Sequence, residues 1–241
     1  MRNLLCLPAL ALAASAVQAE PVAIDGGTLQ LRVLLGDSTT VSIAPFRLDA
    51  TPVTNADFAA FVAASPRWGR DAAPSVFRDA GYLQALATAP ADYPITHVSW
   101  FAASAYCAAQ GGRLPTQDEW EYVAHESTHL EPDTYAAMLF AYYADPASHA
   151  RRAVGAAHVG RWGVHDMHGL VLEWVEDFQM VAKSSTGDSA IGASCGDTAR
   201  YLADNDPAHY VTFLRYQSRS NYTPRTTTST LGFRCAYDIA T

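Results

Sequence analysis

Between Pro94 and Ala124 the chain carries two helix starts separated by a double glycine, and this stretch constrains its path more than any other. Ser99 is a good N-cap, because its short side chain can accept a hydrogen bond from the orphan N–H groups of a first turn. The spacing predicts a helix from there to about Gln110, stopped by Gly111-Gly112. Thr116 and Glu119 stand three apart as a capping box and open a second helix, with Trp120, Val123 and Ala124 on its inner face. Asp118, Glu119 and Glu121 of that helix read as solvated or capping groups and not as an acid–base pair. A third helix start precedes these: Thr54 caps it, Asp57 lies three positions on, and Phe58, Phe61 and Val62 share one face.

The rest of the chain is less regular. Residues 20–48 alternate Leu29, Leu31 and Val33 with polar residues and continue to Val41, Ile43 and Phe46, which predicts a hairpin or a pair of short strands. Residues 64–94 hold four prolines and read as a surface excursion whose aromatic residues, Trp68, Phe77, Tyr82 and Tyr93, need cover. Residues 132–143 have helical character, and His149 to Arg152 read as surface. Residues 181–196 are rich in Ser and Gly and predict a loop, and the alternation around Val211 and Phe213 predicts a strand over 210–216.

With 241 residues, 49% of them hydrophobic and 17% charged, the composition is that of one ordinary globular domain. A net charge of −8 disfavours nucleic acid as a partner, since phosphates call for a basic surface. No Walker loop or G-x-G-x-x-G is present to support nucleotide or dinucleotide chemistry. Residues 1–19 have the form of a secretory signal: Arg2 is the positive start, Leu4 to Ala14 the apolar core, and Val17-Gln18-Ala19 the small-residue cleavage site. The other reading of this stretch is a buried N-terminal strand or helix. Cleavage would leave a domain of residues 20–241 in a periplasmic or secreted location. Of the four cysteines, Cys6 would leave with the signal, and Cys107, Cys195 and Cys235 would remain. An oxidising compartment then predicts one disulfide and one thiol left over.

Several motifs together resemble the formylglycine-generating enzyme family, also called sulfatase-modifying factors. They are T-x-V-T-N-x-x-F from Thr51, P-I-x-x-V-S-W from Pro94, A-x-x-Y-C ending on Cys107, and R-L-P-T-x-x-E-W-E-Y from Arg113. Further on come D-M-x-G from Asp166 with E-W at Glu173, R-S-x-x-T-P from Arg219, and L-G-F-R-C ending on Cys235. The likeness covers roughly residues 40 to 238. It implies a single α+β domain with little regular secondary structure, related in layout to C-type lectins. It also implies a disulfide between Cys107 and Cys235, and a peptide-binding groove lined by Arg215, Arg219, Ser220 and Asn221.

The family's reaction oxidises a cysteine of a sulfatase peptide to formylglycine, using O2 and a Cu(I) ion held by two cysteines. Counted back from Arg219, those two places fall near Asp206 and Val211, which are not cysteines, and only thiolate selects Cu(I) well. Gly192-Ala193-Ser194 before Cys195 resembles the turn that precedes the family's first active cysteine, so Cys195 is the catalytic candidate, with His97, His165, His168 or His209 as possible co-ligands. Three readings of Cys195 stay open: a metal ligand, a reactive thiol, or an inert buried thiol. The family also holds structural Ca²⁺, and carry-over by position implicates the side chains of Asp166 and Glu173 and the carbonyls of Gly169 and Val171; the plain alternative is that Asp166 caps a turn and Glu173 pairs with an arginine. For the calcium loop that the family commonly carries between positions 127 and 160, no matching residues are found.

The form F-x-R-Y-x-x-R-S from Phe213, behind a single cysteine, resembles a branch that accompanies bacterial copper nitrite reductases, and other relatives help mature siderophores. The implied role is a periplasmic accessory protein that assists maturation or oxidative modification of a protein, peptide or metabolite. An oxidase centred on Cys195 and a non-catalytic peptide-binding protein are the alternatives.

Overall fold

The computed structural model describes residues 20–34, 37–126, 132–178 and 222–239. Short strands and short helices alternate in it, joined by long irregular stretches, so the arrangement is α+β with little regular structure. The elements are β1 (Val22–Ile24), β2 (Gly27–Leu34), β3 (Asp37–Ile43), β4 (Phe46–Leu48), α1 (Asn55–Ala64), α2 (Trp100–Ala109), α3 (Gln117–Glu126), α4 (Pro132–Ala144), α5 (Pro146–His149), β5 (Leu172–Glu173), β6 (Leu231–Gly232) and β7 (Ala236–Asp238).

The opening hairpin is as expected. Strand β2 pairs antiparallel with β3, with Leu29 opposite Val41. A second sheet was not foreseen: β4 lies between β1 and β7, joining the two ends of the domain. Its strands are three residues each, too short to show an alternation in sequence.

The helix starts follow their caps. Thr54 and Asp57 form the reciprocal box that opens α1. Ser99 accepts from the Ala102 N–H at the start of α2. At α3, Thr116 accepts from Glu119 N–H while Glu119 accepts from Thr116 N–H. Glu119 also takes both arms of Arg113, at 2.7 Å each. Glu121 departs from its expected role as a solvated or capping group, because it is fully buried. It occupies the same inward face as Trp120 and Ala124, which a reading based on charge alone places outside.

One segment organises the centre. Residues 228–236 run through the domain as a spine and take backbone hydrogen bonds from almost every side. Asp49 N–H donates to the Cys235 carbonyl, and Val53 N–H to that of Phe233. Leu172 and Trp174 N–H donate to the carbonyls of Thr230 and Gly232, and Arg113 pairs with Ala236 in both directions. A side chain at position 232 would meet the Ile95 carbonyl at 2.6 Å, so only glycine lets the spine lie this close to its neighbour. Phe233 of the spine joins Phe58 of α1 and Tyr106 of α2 in one aromatic core, with ring centroids 5.3–6.1 Å apart. The aromatic residues of the 64–94 excursion find their cover here too: Tyr82 is buried and its hydroxyl donates to the Trp68 carbonyl.

Cys107 and Cys235 form the disulfide, tying the end of α2 to the spine across a separation of 128 residues. A cross-link closing so long a loop removes much of the unfolded chain's freedom, on the order of 4–5 kcal/mol in the chain-entropy account. The double variant Cys107→Ala/Cys235→Ala should lose a stability of that order in urea unfolding. A loss under about 1 kcal/mol would show that the cross-link does not constrain the unfolded chain as that account requires.

Candidate functional site

The spine carries a buried cation. Arg234 is wholly inaccessible to solvent, and each of its N–H groups has an acceptor. Nε and one terminal nitrogen grip the two oxygens of Glu173 at 2.8 Å each. The other N–H groups donate to the carbonyls of Asp49, Ala50 and His165 at 2.9–3.4 Å. Glu173 is buried as well and accepts a further bond from the Trp120 indole at 2.9 Å. Neither charge could be tolerated here alone, since an unpaired buried ion is costly, whereas a bidentate pair with every donor satisfied is not.

Below this pair, Asp49 accepts from the Cys235 N–H at 2.9 Å and the Tyr237 hydroxyl at 3.1 Å. Burial raises its pKa from the ordinary 3.8 to about 6, against the opposing pull of those hydrogen bonds and of Arg234. Burial also pushes the Tyr237 phenol up, helped by the Asp49 charge.

The turn between 163 and 173 is built on hydrogen bonds. Asp166 has a left-handed backbone, φ 60°, and its carboxylate accepts from the N–H groups of Gly155 and Ala157. The Gly169 carbonyl accepts from the Arg152 guanidinium and lies 3.2 Å from His149 Nδ1. Of the stretch 149–152, expected as surface, Arg151 is exposed, whereas His149 and Arg152 are half-buried against this turn and Ala150 is buried. Among the described residues no three His, Cys, Asp or Glu side chains are grouped so as to hold a metal ion. Of the histidines considered as copper ligands, His168 packs edge-on against Trp120, and His165 gives its carbonyl to Arg234. His97 donates its backbone N–H to the Thr228 carbonyl, has a left-handed backbone, φ 55°, and burial lowers its pKa. Cys195, His209, Arg215, Arg219, Ser220 and Asn221 lie outside the described residues.

What the described residues do place beside the C-terminal segment is a cleft of about 530 Å³. It is lined by Arg67, Trp68, Phe77, Trp100 and Phe101, among others. The rings pack at 4.9 Å (Phe77 with Phe101), 5.7 Å (Trp100 with Phe101) and 5.9 Å (Trp68 with Phe77). Trp100 is fixed twice: its N–H donates to the Pro224 carbonyl and its indole to that of Val175. Pro224 closes the R-S-x-x-T-P segment, so the cleft wall and that segment are joined directly. Asp79 strengthens the junction by accepting from both the N–H and the hydroxyl of Thr227. The sequence signal for Trp68 and Phe77 was the aromatic content of residues 64–94, which carries no periodicity and could be read only as a need for cover; Trp100 and Phe101 come from the first turn of α2.

Comparison with known proteins decides the family. The model of the sulfatase-modifying factor enzyme 1-like domain matches residues 10–239. The chain belongs to this family. It is 30% identical to the formylglycine-generating enzyme of Streptomyces coelicolor over 83% of this chain and 80% of that protein. It is also 28% identical to the inactive C-alpha-formylglycine-generating enzyme 2 of Mus musculus, over 83% of this chain and 78% of that one. The solved structure of PvdO from Pseudomonas aeruginosa matches with a TM-score of 0.50 at 17% identity, covering 91% of this chain and 94% of that chain. The fold of the sulfatase-modifying factor family thus holds along the chain, whereas an identity of 17% says nothing of shared activity.

Two outcomes are expected from the buried groups. Glu173→Gln removes the countercharge of Arg234 and should cost about 3–5 kcal/mol in chemical denaturation. For Asp49 the folded state binds a proton more tightly than the unfolded chain, so the folded state holds more protons between about pH 4 and 6. Its contribution to stability rises as pH falls through that window, and the burial penalty is fully present above it. Asp49→Asn should therefore gain on the wild type by about 2–3 kcal/mol between pH 4 and pH 7, measured as the difference of the two stability curves.

Proposed function

We propose that this member of the sulfatase-modifying factor family is an accessory protein acting outside the cytoplasm, and that it holds a peptide or protein segment in the aromatic cleft while that partner, or a metabolite it carries, is matured or oxidatively modified. The observation that carries this reading is the cleft itself. A concave site walled by aromatic rings, with one guanidinium at its rim, suits an apolar side chain on a polar backbone. Its Trp100 is bound to Pro224, the last residue of the R-S-x-x-T-P motif that in the family belongs to the groove. The form of residues 1–19 supports export. The occurrence of an inactive enzyme among the relatives supports a role in which binding outlives catalysis.

The cysteine count supports binding over formylglycine generation. Cys107 and Cys235 are joined to each other, and Cys6 lies in the apolar N-terminal stretch, so Cys195 is the one thiol left to a centre that in the family takes two. Copper chemistry at Cys195 would need donors other than thiolate for its second ligand.

Two measurements test the reading. Binding to an immobilised random-peptide library should be retained by Cys195→Ser and weakened about tenfold or more by Phe101→Ala, the scale expected for a buried aromatic anchor. Equal binding by Phe101→Ala would remove the cleft from the proposal. A Cu(I) titration against a competing chelator should find no tight one-to-one site. Such a site, lost in Cys195→Ser, would instead make the protein an oxidase of the family's type.

A further inference from the structure

Calcium is the cation that family resemblance assigns to the turn around Gly169, and the residues present do not fit it. Calcium takes six to eight oxygen ligands at about 2.3–2.6 Å, carboxylates and carbonyls turned towards one point. Here the two carboxylates are turned to different tasks. Both oxygens of Glu173 face the Arg234 guanidinium, and one also receives the Trp120 N–H. Both oxygens of Asp166 receive backbone N–H groups, from Gly155 and Ala157. The Gly169 carbonyl accepts from Arg152, whose guanidinium also lies 2.8 Å from His149 Nδ1. Beside Glu173, between Trp120, Tyr142, Trp174 and Tyr222, the free space amounts to about 10 Å³, room for a single water.

We infer that two guanidinium groups hold this turn where a divalent cation would otherwise do so: Arg234 neutralises Glu173 from the spine, and Arg152 binds the Gly169 carbonyl from the segment after α5. A guanidinium suits the task because its donors fan out in a plane and reach several carbonyls at once, whereas a cation would need those oxygens to converge. Arg152 is then a positioning residue. It reaches across 17 positions to fix the turn that delivers Glu173 to Arg234. The folded state has no requirement for calcium at this turn, and its stability is independent of a chelator.

The test uses the whole protein, dialysed against a chelator and then compared with and without millimolar calcium. The melting temperature should be unchanged, whereas a site filled at a hundred times its Kd would raise it by roughly 5–10 °C. Terbium adds a local readout, because an ion at Glu173 would lie beside the Trp120 indole and be excited through it. No saturable sensitised emission is expected. In calcium-free buffer, Arg152→Ala should lower the melting temperature by about 3–8 °C, and Arg152→Lys, which keeps the charge and can still donate to the Gly169 carbonyl, by less. A calcium-induced rise in the wild type, saturable terbium emission, or an Arg152→Ala variant that melts with the wild type would each overturn the inference.

Discussion

A guanidinium with no access to solvent must find an acceptor for every N–H it carries, and the rest of this domain is arranged so that Arg234 does. Its acceptors come from places far apart in the chain: the carbonyls of Asp49 and Ala50 after β4, the carbonyl of His165 in the turn before β5, and the carboxylate of Glu173 in β5. Each is a backbone or side-chain group that would itself be stranded if the arginine moved. A fold with so little regular secondary structure lacks the long ladders that usually satisfy buried polar groups. The ion pair and the spine strand supply satisfaction instead, and the disulfide at the neighbouring position 235 pins the strand that bears the arginine.

The same spine governs what the surface can do. The cleft walls come from residues 67–77 and from α2, segments with no sheet to align them. They are aligned because Trp100 hangs from the Pro224 carbonyl and Thr227 is bound by Asp79, both just upstream of the spine. Geometry at the cleft is thus inherited from the core.

Much of this was legible in local chemistry. The caps at Thr54, Ser99 and Thr116 each work as their side chains imply, since a cap depends on atoms within three residues of itself. The opening hairpin followed from alternation, and the pairing of Cys107 with Cys235 from family resemblance. Glu121 was misplaced because its charge was weighed above its position, although it stands next to Trp120 and three before Ala124, both of which turn inward. Arg152 was misplaced for a related reason: nothing near it in sequence announces the carbonyl it binds. Asp166 and Glu173 offered two readings, a cation site or a turn cap and an ion pair, and only their partners in space distinguish them.

By itself the sequence determined the helix starts, the glycine stops, the odd cysteine and the family, because these rest on short-range stereochemistry or on a shared order of motifs. The tertiary structure alone decided which charges are buried and against what, that three-residue strands join the two ends of the domain, and that aromatic residues from an aperiodic stretch close into a cleft. Those outcomes depend on contacts between positions as far apart as Asp49 and Arg234, and no local pattern encodes a partner at that distance.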